Sequence, residues 1–165
     1  MQDDAPYTYA GANGKSVNNY DRRYRGFTTL REAITDSINI VTVKTLAQAG
    51  VSLGWQYVQE YGFTTVDSRD MNEALALGGI TQGVSNLELT AAYAAIANQG
   101  TYIRPKFYTK ILDHDGNVLI DNTTPESHTV IKDTTAWLLT SAMEDVMTSG
   151  TGTSAYFGSS MAQAG

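Results

Sequence analysis

The first helix that the apolar pattern predicts begins near Thr29. Leu30, Ala33 and Ile34 lie at i, i+3 and i+4, which places them on one face of a helix. Thr29 and Glu32 have the spacing of a capping box, in which each side chain accepts a hydrogen bond from a free backbone N–H at the helix start. We therefore expect a short helix whose buried face runs directly into a Ser-x-Asn triplet.

Two further helices are predicted immediately after this triplet. One is expected over residues 40–49 and ends at Gly50, because glycine adopts the conformations that commonly close a helix. The other is expected to run from Ser52, whose hydroxyl suits an N-cap, to Tyr61, with Gly62 past its end. This part of the chain is therefore predicted to be mainly helical.

A fourth helix is predicted over residues 86–98, and it is apolar nearly all round. Ser85 and Glu88 form a second capping box at its start, and Gly100 follows its end. A helix that carries apolar residues on all sides is buried on most of them. We therefore expect this helix to lie inside the protein.

Beyond residue 100 the pattern becomes typical of β-strands. Two apolar runs cover residues 102–112 and 117–120, and Asp115-Gly116 between them is a hairpin turn signal. Residues 121–128 are expected to form a loop. Residues 1–18, which are polar and rich in Gly, Asn and Tyr, are also expected to be loop-like.

The last predicted helix spans residues 134–148. Asp133 is expected to cap it, and Gly150-Thr151-Gly152-Thr153 breaks it. Its inward stripe is predicted to consist of Leu139, Ala142, Met143 and Val146. The whole pattern predicts one α+β domain over residues 1–165 that is mainly helical and carries a small β-hairpin near 102–120.

Composition narrows the chemistry. The chain has 165 residues and a formal net charge of −6, and its basic residues are scattered, which argues against nucleic acid as a partner. It has no cysteine, and neither His114 nor His128 has a metal-ligand partner at helical spacing, so no metal site is predicted. No apolar run reaches the roughly 18 residues of a membrane span. Any membrane anchor is therefore expected to lie outside this sequence.

The triplet Ser37-Ile38-Asn39 stands among neighbours that make it informative. In chain order these neighbours are Asn19-Tyr20-Asp21, Tyr24, Gly26, Thr29-Leu30-Arg31, Asp36, Ala76-Leu77-Gly78-Gly79, Gly83-Val84-Ser85, Glu88-Leu89, Ala92-Tyr93 and Ala97-Asn98-Gln99-Gly100. Over about residues 18–165 this order resembles the transpeptidase domain of class A (bifunctional) penicillin-binding proteins. The resemblance implies the helical portion of the serine penicillin-recognising (β-lactamase/transpeptidase-like) fold.

The resemblance also implies roles for two residues. In that family Ser-x-x-Lys carries the nucleophile, Ser-x-Asn lies across the cleft, and Lys-Thr-Gly on a strand closes the third side. By this resemblance Ser37 is the proton relay, and its hydroxyl can both donate and accept a hydrogen bond. Asn39 is the substrate-binding residue that orients the substrate amide. Serine and asparagine also favour helix ends for capping alone, so a purely structural role for both stays open at this point.

The sequence contains neither of the family's other two motifs. No Ser-x-x-Lys occurs, and the chain stops at Ala164-Gly165, one residue short of the expected Lys-Thr-Gly. Thr151-Gly152-Thr153 is not that motif, because Gly150 stands in place of its lysine, and it matches a Gly-Thr-Gly that the family carries just upstream. We therefore expect an internal fragment that is inactive alone.

The resemblance implies a parent enzyme, a peptidoglycan D,D-transpeptidase that cross-links cell-wall stem peptides by serine acyl transfer and binds β-lactams. It implies no cofactor, and a location on the extracytoplasmic face of the bacterial cell membrane. Because the family's sheet would come from segments outside this sequence, we expect an uncovered apolar face and self-association through it. The alternatives are a non-catalytic sensor or interaction domain that retains the helical scaffold, and a self-standing helical binding module.

Overall fold

The computed structural model describes residues 1–10, 14–158 and 162–165, and in this part of the chain five α-helices accompany eight short β-strands. The helices are α1 (Leu30–Thr35), α2 (Asn39–Ala49), α3 (Val51–Glu60), α4 (Asn86–Ala97) and α5 (Asp133–Thr148). The strands are β1 (Gln2–Asp4), β2 (Tyr7–Thr8), β3 (Ser16–Val17), β4 (Gly26–Thr28), β5 (Thr101–Ile103), β6 (Lys110–Leu112), β7 (Val118–Asp121) and β8 (Ser127–Thr129). The predicted α+β class, mainly helical, is confirmed.

Helix α2 forms the centre of the fold. Its residues Ile40, Val41 and Val43 are completely buried. Val17 packs against Ile40 and Val43 on one side, and Ala33 packs against Val41 on another. The helix also contacts α1, α3, β1 and the short 3₁₀ turn Glu73–Leu77. The segment that precedes α2 is therefore attached directly to the best-packed part of the molecule.

The prediction of a loop over residues 1–18 is wrong for three short segments. Strand β1 pairs antiparallel with β4, with Gln2 opposite Thr28, and β2 pairs antiparallel with β3, with Tyr7 opposite Val17. Strands of two or three residues are too short for an alternating pattern to reveal them. Residues 11–13 of the predicted loop lie outside the described part of the chain.

Both predicted capping boxes are confirmed, whereas two predicted caps are wrong. Thr29 and Ser85 each cap a helix whose glutamate bonds back to the cap. Ser52 lies inside α3 instead, because Gly50 closes α2 and at once opens α3 with a φ of 102°. Asp133 is the first residue of α5, and its carboxylate accepts a bond from the backbone N–H of Thr134 rather than from deeper in the helix.

The predicted hairpin forms over a shorter range than 102–112 and 117–120. Strands β6 and β7 pair antiparallel with Ile111 opposite Ile120. Strand β5 pairs instead with β8, with Tyr102 opposite His128. The predicted loop over 121–128 therefore wrongly includes the last residue of β7 and the first two residues of β8. Pro105 follows β5 and has no N–H to donate, so the first run cannot continue as one uninterrupted strand.

Helix α4 is less buried than its composition predicts. Its alanines Ala91, Ala92 and Ala95 are buried, but Leu87 and Tyr93 are 44% and 51% exposed. An all-round apolar sequence shows that a helix has no polar side. It does not show which side meets a neighbour within this chain.

Helices α1 and α5 are joined by an ionic contact. An Arg31 guanidinium N–H donates to Asp145 Oδ2 at 2.7 Å and another bond runs to the Ser141 carbonyl at 2.9 Å. The predicted inward stripe of α5 is confirmed at Ala142, Met143 and Val146, which are buried, while Leu139 is half-buried. Within the described residues, no helix is long and apolar enough to cross a membrane.

Candidate active site

The turn between α1 and α2 presents Ser37 in an unusual backbone conformation. Its φ is 54°, in the left-handed region that residues other than glycine rarely occupy. Its N–H donates to the Ile34 carbonyl at 3.2 Å, and the side chain is exposed. Strain of this kind is often found at functional sites, where the surrounding structure holds it in place.

Ile38 holds this turn in place. It is 1% exposed and packs against Ala33 and Val41. Because the Ile38 side chain lies in the core, its two neighbours in sequence are left on the side of the turn that faces outward. Ser37 and Asn39 therefore open onto the same surface.

That surface is a cavity of about 490 Å³. It is lined by Asn19, Tyr20, Asp21, Arg25, Asp36, Ser37, Ile38, Asn39 and Thr151. The structure thus brings both residues of the Ser-x-Asn triplet together in one cavity, as their spacing predicts. It also adds residues from two distant parts of the chain.

Asn39 is half-buried at the first turn of α2. Its Nδ2 donates to the Asn18 carbonyl at 2.9 Å. Within the described residues its Oδ1 accepts no hydrogen bond, so the carboxamide keeps one N–H and the oxygen for other partners. One bond to the backbone fixes the side chain without using up its capacity to bind.

Thr151 reaches the cavity because the segment after α5 approaches α1 very closely. The Thr151 N–H donates to the Thr35 carbonyl at 3.2 Å, and a Cβ at position 150 would lie 2.1 Å from that oxygen. Only glycine permits this approach. Sequence reasoning correctly took the Gly150-Thr151-Gly152 segment as a helix-ending turn but missed that Thr151 lines the site.

The charges at the cavity come from Asp21, Asp36 and Arg25. The Arg25 guanidinium lies 3.1 Å from Asp21 Oδ2 and 3.8 Å from the buried carboxylate of Asp4. The backbone N–H of Arg23, followed by the charge of Arg25, lowers the pKa of Asp21 below its ordinary value. None of the described residues that line the cavity is lysine or histidine.

Asn19 and Asp4 were not predicted as parts of the site. Asn19 is 4% exposed and its Oδ1 accepts a bond from the backbone N–H of Ile40 at 3.2 Å, while Asp4 is completely buried beside it. These contacts join residues 15 and 21 positions apart. Such separations leave no periodic signal, and only the resemblance around Asn19-Tyr20-Asp21 pointed to this segment.

Structural contacts are made by Gly78, Gly79 and His128. Gly78, with a φ of 73°, ends the 3₁₀ turn Glu73–Leu77, and the Gly79 N–H donates to the Ala74 carbonyl at 2.9 Å. The His128 ring nitrogen lies 2.8 Å from the Glu60 carbonyl. Across the described residues, no group of three or more His, Cys, Asp or Glu side chains could hold a metal ion.

Comparison with known proteins identifies the family. A family model described as the penicillin-binding protein transpeptidase domain matches residues 2–164. The chain is 40% identical over 136 residues to penicillin-binding protein 1F of Bacillus subtilis, which covers 82% of this chain and 18% of that protein. The chain thus spans less than a fifth of that relative.

Solved structures of penicillin-binding proteins have the same fold. Penicillin-binding protein 1A from Haemophilus influenzae matches with a TM-score of 0.79 at 24% identity, over 93% of this chain and 28% of that one. The penicillin G acyl-enzyme complex of penicillin-binding protein A from Mycobacterium tuberculosis matches with a TM-score of 0.73 at 18% identity, over 90% and 38%. With the family model and the relative in sequence, these matches show that the chain belongs to the penicillin-binding protein transpeptidase family.

Proposed function

We propose that the chain is part of a peptidoglycan D,D-transpeptidase that cross-links stem peptides by serine acyl transfer. The observation that carries this proposal is the turn at Ser37-Ile38-Asn39. Its two polar side chains open onto one cavity of about 490 Å³ while the residue between them is buried. A structural cap would require neither the shared cavity nor the left-handed backbone at Ser37.

In this proposal the nucleophile is a serine of a Ser-x-x-Lys motif, which this sequence does not contain. Its oxygen attacks the carbonyl carbon of the penultimate D-Ala of a stem peptide. The C–N bond to the terminal D-Ala breaks, and that D-Ala leaves as an amine after it gains a proton. The amine of a second strand then attacks the acyl-enzyme, forms the cross-link and releases the serine.

Ser37 would transfer the proton to the leaving amine. A hydroxyl accepts one hydrogen bond while it donates another, which suits a relay between the nucleophile's base and the leaving group. Ser37 is exposed on the cavity, and no side-chain hydrogen bond occupies its hydroxyl among the described residues. It is therefore free to bond to both.

Asn39 would orient the substrate amide. Its Nδ2 is anchored to the Asn18 carbonyl at 2.9 Å, which restricts the rotation of the carboxamide. The remaining N–H can donate to a substrate carbonyl, and the oxygen can accept from the family's lysine. A group held in place in advance stabilises a transition state better than one that must first be ordered.

The parent protein would also bind β-lactams, because the carbonyl of their strained amide takes the place of the stem-peptide carbonyl and is attacked by the same serine. Penicillin-binding protein A from Mycobacterium tuberculosis, which shares the fold, forms such an acyl-enzyme complex with penicillin G. Peptidoglycan strands as substrate would place the reaction on the extracytoplasmic face of the membrane, with the anchor outside this chain. The reaction needs no metal or organic cofactor.

Labelling with a fluorescent penicillin tests this function. The complete protein that carries this segment should give a labelled band that survives boiling, whereas the isolated chain should give none because it has no Ser-x-x-Lys. Excess unlabelled penicillin should abolish the label. A stable label on the isolated chain would place the nucleophile within it. An unlabelled complete protein would overturn the proposal in favour of a non-catalytic sensor domain.

A further inference from the structure

We propose that Asp4 and Asn19 are positioning residues that set the conformation of the Ser37-Ile38-Asn39 turn from outside it. This inference rests on the proposed function, and it adds two residues to those that shape the proposed active site. Neither residue belongs to the triplet, and both are at least 96% buried, since Asp4 is 0% and Asn19 4% exposed. Buried polar side chains of this kind are expected only where their hydrogen bonds are satisfied.

Helix α2 lacks a local cap. Its N-cap residue, Ile38, has an aliphatic side chain and makes no side-chain hydrogen bond, although the first N–H groups of a helix need partners. The Ile40 N–H is completely buried, so water cannot serve it. Asn19 Oδ1 accepts this bond at 3.2 Å and so acts as a cap from 21 residues away.

Asp4 fixes the orientation of the Asn19 carboxamide. Asn19 Nδ2 donates to both carboxylate oxygens of Asp4, at 2.8 and 2.9 Å, and to the Arg23 carbonyl at 2.8 Å. With its donors held by a carboxylate, the amide oxygen can point only toward Ile40. Asp4 is itself held by the Arg25 N–H at 2.9 Å and faces the Arg25 guanidinium at 3.8 Å.

The same segment also holds the side chain of the triplet. Asn18, the neighbour of Asn19, accepts the bond from Asn39 Nδ2 at 2.9 Å. Asn19 thus bonds to the backbone of α2 at Ile40, and Asn18 bonds to the side chain of Asn39. A change at Asn19 should therefore move the group that orients the substrate, rather than only loosen the fold.

Reciprocal substitution in the complete protein tests this role. Asn19→Asp sets two carboxylates against each other. Asp4→Asn replaces one acceptor oxygen by an NH2 group, so one of the N–H donors of Asn19 and Arg25 loses its acceptor. Each single variant should slow β-lactam acylation by up to about 100-fold. The double variant Asp4→Asn/Asn19→Asp restores a donor facing an acceptor between the two side chains, and we expect it to recover part of the rate, because the Arg23 carbonyl still loses the N–H that bonds to it. The dissociation constant of the non-covalent complex should change little in all three.

Asp70→Asn is the matched control. Asp70 is completely buried and accepts bonds from Thr81 and from the Asp67 N–H, but it does not line the cavity. It should lose stability without a comparable loss of acylation rate. If Asn19→Asp does not fold, Asn19→Ser is tested in its place, because serine offers a single polar atom where two are needed.

Amide exchange at Ile40 measures the hydrogen bond to Asn19 itself, and it should accelerate in the single variants at Asp4 and Asn19.

The outcomes separate the two proposals. Faster exchange at Ile40, slower acylation and recovery in the double variant support the positioning role. Faster amide exchange at Ile40 with an unchanged acylation rate would mean that Asp4 and Asn19 only cap the helix. If Asp70→Asn slows acylation as much as the Asp4 and Asn19 variants do, the slowing comes from lost stability and not from positioning. If the wild-type protein does not react with β-lactams at all, the proposed function fails and the positioning role fails with it, whatever Ile40 shows.

Discussion

Ser37 combines a strained backbone with a hydroxyl that makes no hydrogen bond within the described residues, and the two features have separate consequences. A residue with a Cβ costs about 1–2 kcal/mol in the left-handed region, where glycine is accepted freely. Nothing in the sequence around Ser37 predicts its φ of 54°. The position of Ser37 at a helix end is predictable, because α1 and the break that follows it are encoded by spacing and capping. Its conformation depends on Ile38 being drawn into the core.

Ser37→Gly should be more stable than Ser37→Ala by about 1 kcal/mol, since only glycine relieves the strain. Urea denaturation of the two variants measures the difference in the free energy of unfolding. Gln99 is a matched control, because it has a φ of 55° in the turn between α4 and β5, away from the cavity. Gln99→Gly should therefore show a similar gain over Gln99→Ala. Equal stability of both Ser37 variants would mean that the turn is not strained.

The helix starts show how much of an element the sequence can encode. Thr29 with Glu32 and Ser85 with Glu88 were readable as capping boxes, because both partners lie within one turn. Glu88 does more than its spacing predicts, since it also accepts bonds from the Thr64 N–H at 2.9 Å and hydroxyl at 2.6 Å. These bonds tie α4 to the loop after α3. That tie is invisible in the sequence because it spans 24 residues.

The Glu88 carboxylate should give the fold a recognisable acid sensitivity. The Thr64 hydroxyl, followed by the backbone N–H groups of Ser85 and Thr64, lowers the pKa of Glu88 to about 2. A pKa lower in the folded than in the unfolded state stabilises above the unfolded value of 4.5, and this contribution is lost as the pH falls toward 2. Glu88→Gln should therefore lose stability at neutral pH and flatten the decline between pH 4.5 and 2.

Urea melts across this pH range compare Glu88→Gln with the wild type. Glu144→Gln changes an exposed carboxylate on α5 and is the control. It should leave the shape of the pH profile intact. If Glu88→Gln declines in parallel with the wild type, the carboxylate does not bind the N–H groups of the capping box as the structure has it.

The contact between α1 and the end of α5 depends on Gly150. Gly150→Ala places a methyl group 2.1 Å from the Thr35 carbonyl, where only backbone movement can relieve the clash. We expect a loss of about 1–3 kcal/mol in the free energy of unfolding, as in overpacked cores. Gly83→Ala is the comparison, because a Cβ there meets nothing within 4 Å and its φ of 69° adds conformational strain alone. Because that strain alone costs about 1–2 kcal/mol, the deciding result is the one at Gly150: a Gly150→Ala variant as stable as the wild type would show that the close approach does not exist.

The whole molecule exposes much more surface than a compact protein of its length. Its accessible area is 10582 Å², whereas a folded monomer of this length exposes about 8,000 Å². Part of the excess is an apolar groove of about 370 Å³ between α1 and α2. This α1–α2 groove is lined by Leu30, Ala33, Ile34, Val41, Thr42, Thr45, Leu46, Ala49 and Ala76. Leu30 and Ile34, predicted to be buried, are 47% and 36% exposed along it.

The isolated chain should self-associate or bind a hydrophobic dye through this groove. Removing the apolar lining of this groove from water favours both outcomes, at about 25 cal/mol for each Å² buried. Ile34→Glu should weaken association and dye binding, whereas Phe107→Ser, which changes a residue 86% exposed outside the groove, should not. Analytical ultracentrifugation and dye fluorescence measure both. A monodisperse monomer without dye binding would contradict this prediction.

At this scale the sequence predicts the class of fold but not its surface. Hydrophobic spacing correctly indicates a mainly helical fold with a hairpin at Asp115-Gly116, since each of these elements is encoded within about fifteen residues. It overestimates the burial of α4 and of the outer face of α1, because periodicity identifies an apolar side whether or not a neighbour covers it. The partner strands near the N-terminus and the Asp4–Asn19 pair depend on contacts between distant segments.

The most direct test of the central claim is the rate of acylation of the complete protein by a chromogenic β-lactam. Ser37→Ala should slow it by about 10²–10⁴. Asn39→Ala should cost about 2–4 kcal/mol of transition-state stabilisation, or about 30- to 1000-fold. In urea melts Asn39→Ala should lose only about 1 kcal/mol of stability, as for one lost hydrogen bond, and Ser37→Ala should lose less, because its hydroxyl makes no hydrogen bond within the described residues.

Asn72→Ala is the control for a lost cap, because Asn72 caps the 3₁₀ turn Glu73–Leu77 away from the cavity. It should lose similar stability and keep its acylation rate. The account predicts that acylation falls steeply in the Ser37 and Asn39 variants alone. Acylation within twofold of wild type in both, with stability lower by several kcal/mol, would show that Ser37 and Asn39 are structural caps and that the assignment of the active site is wrong.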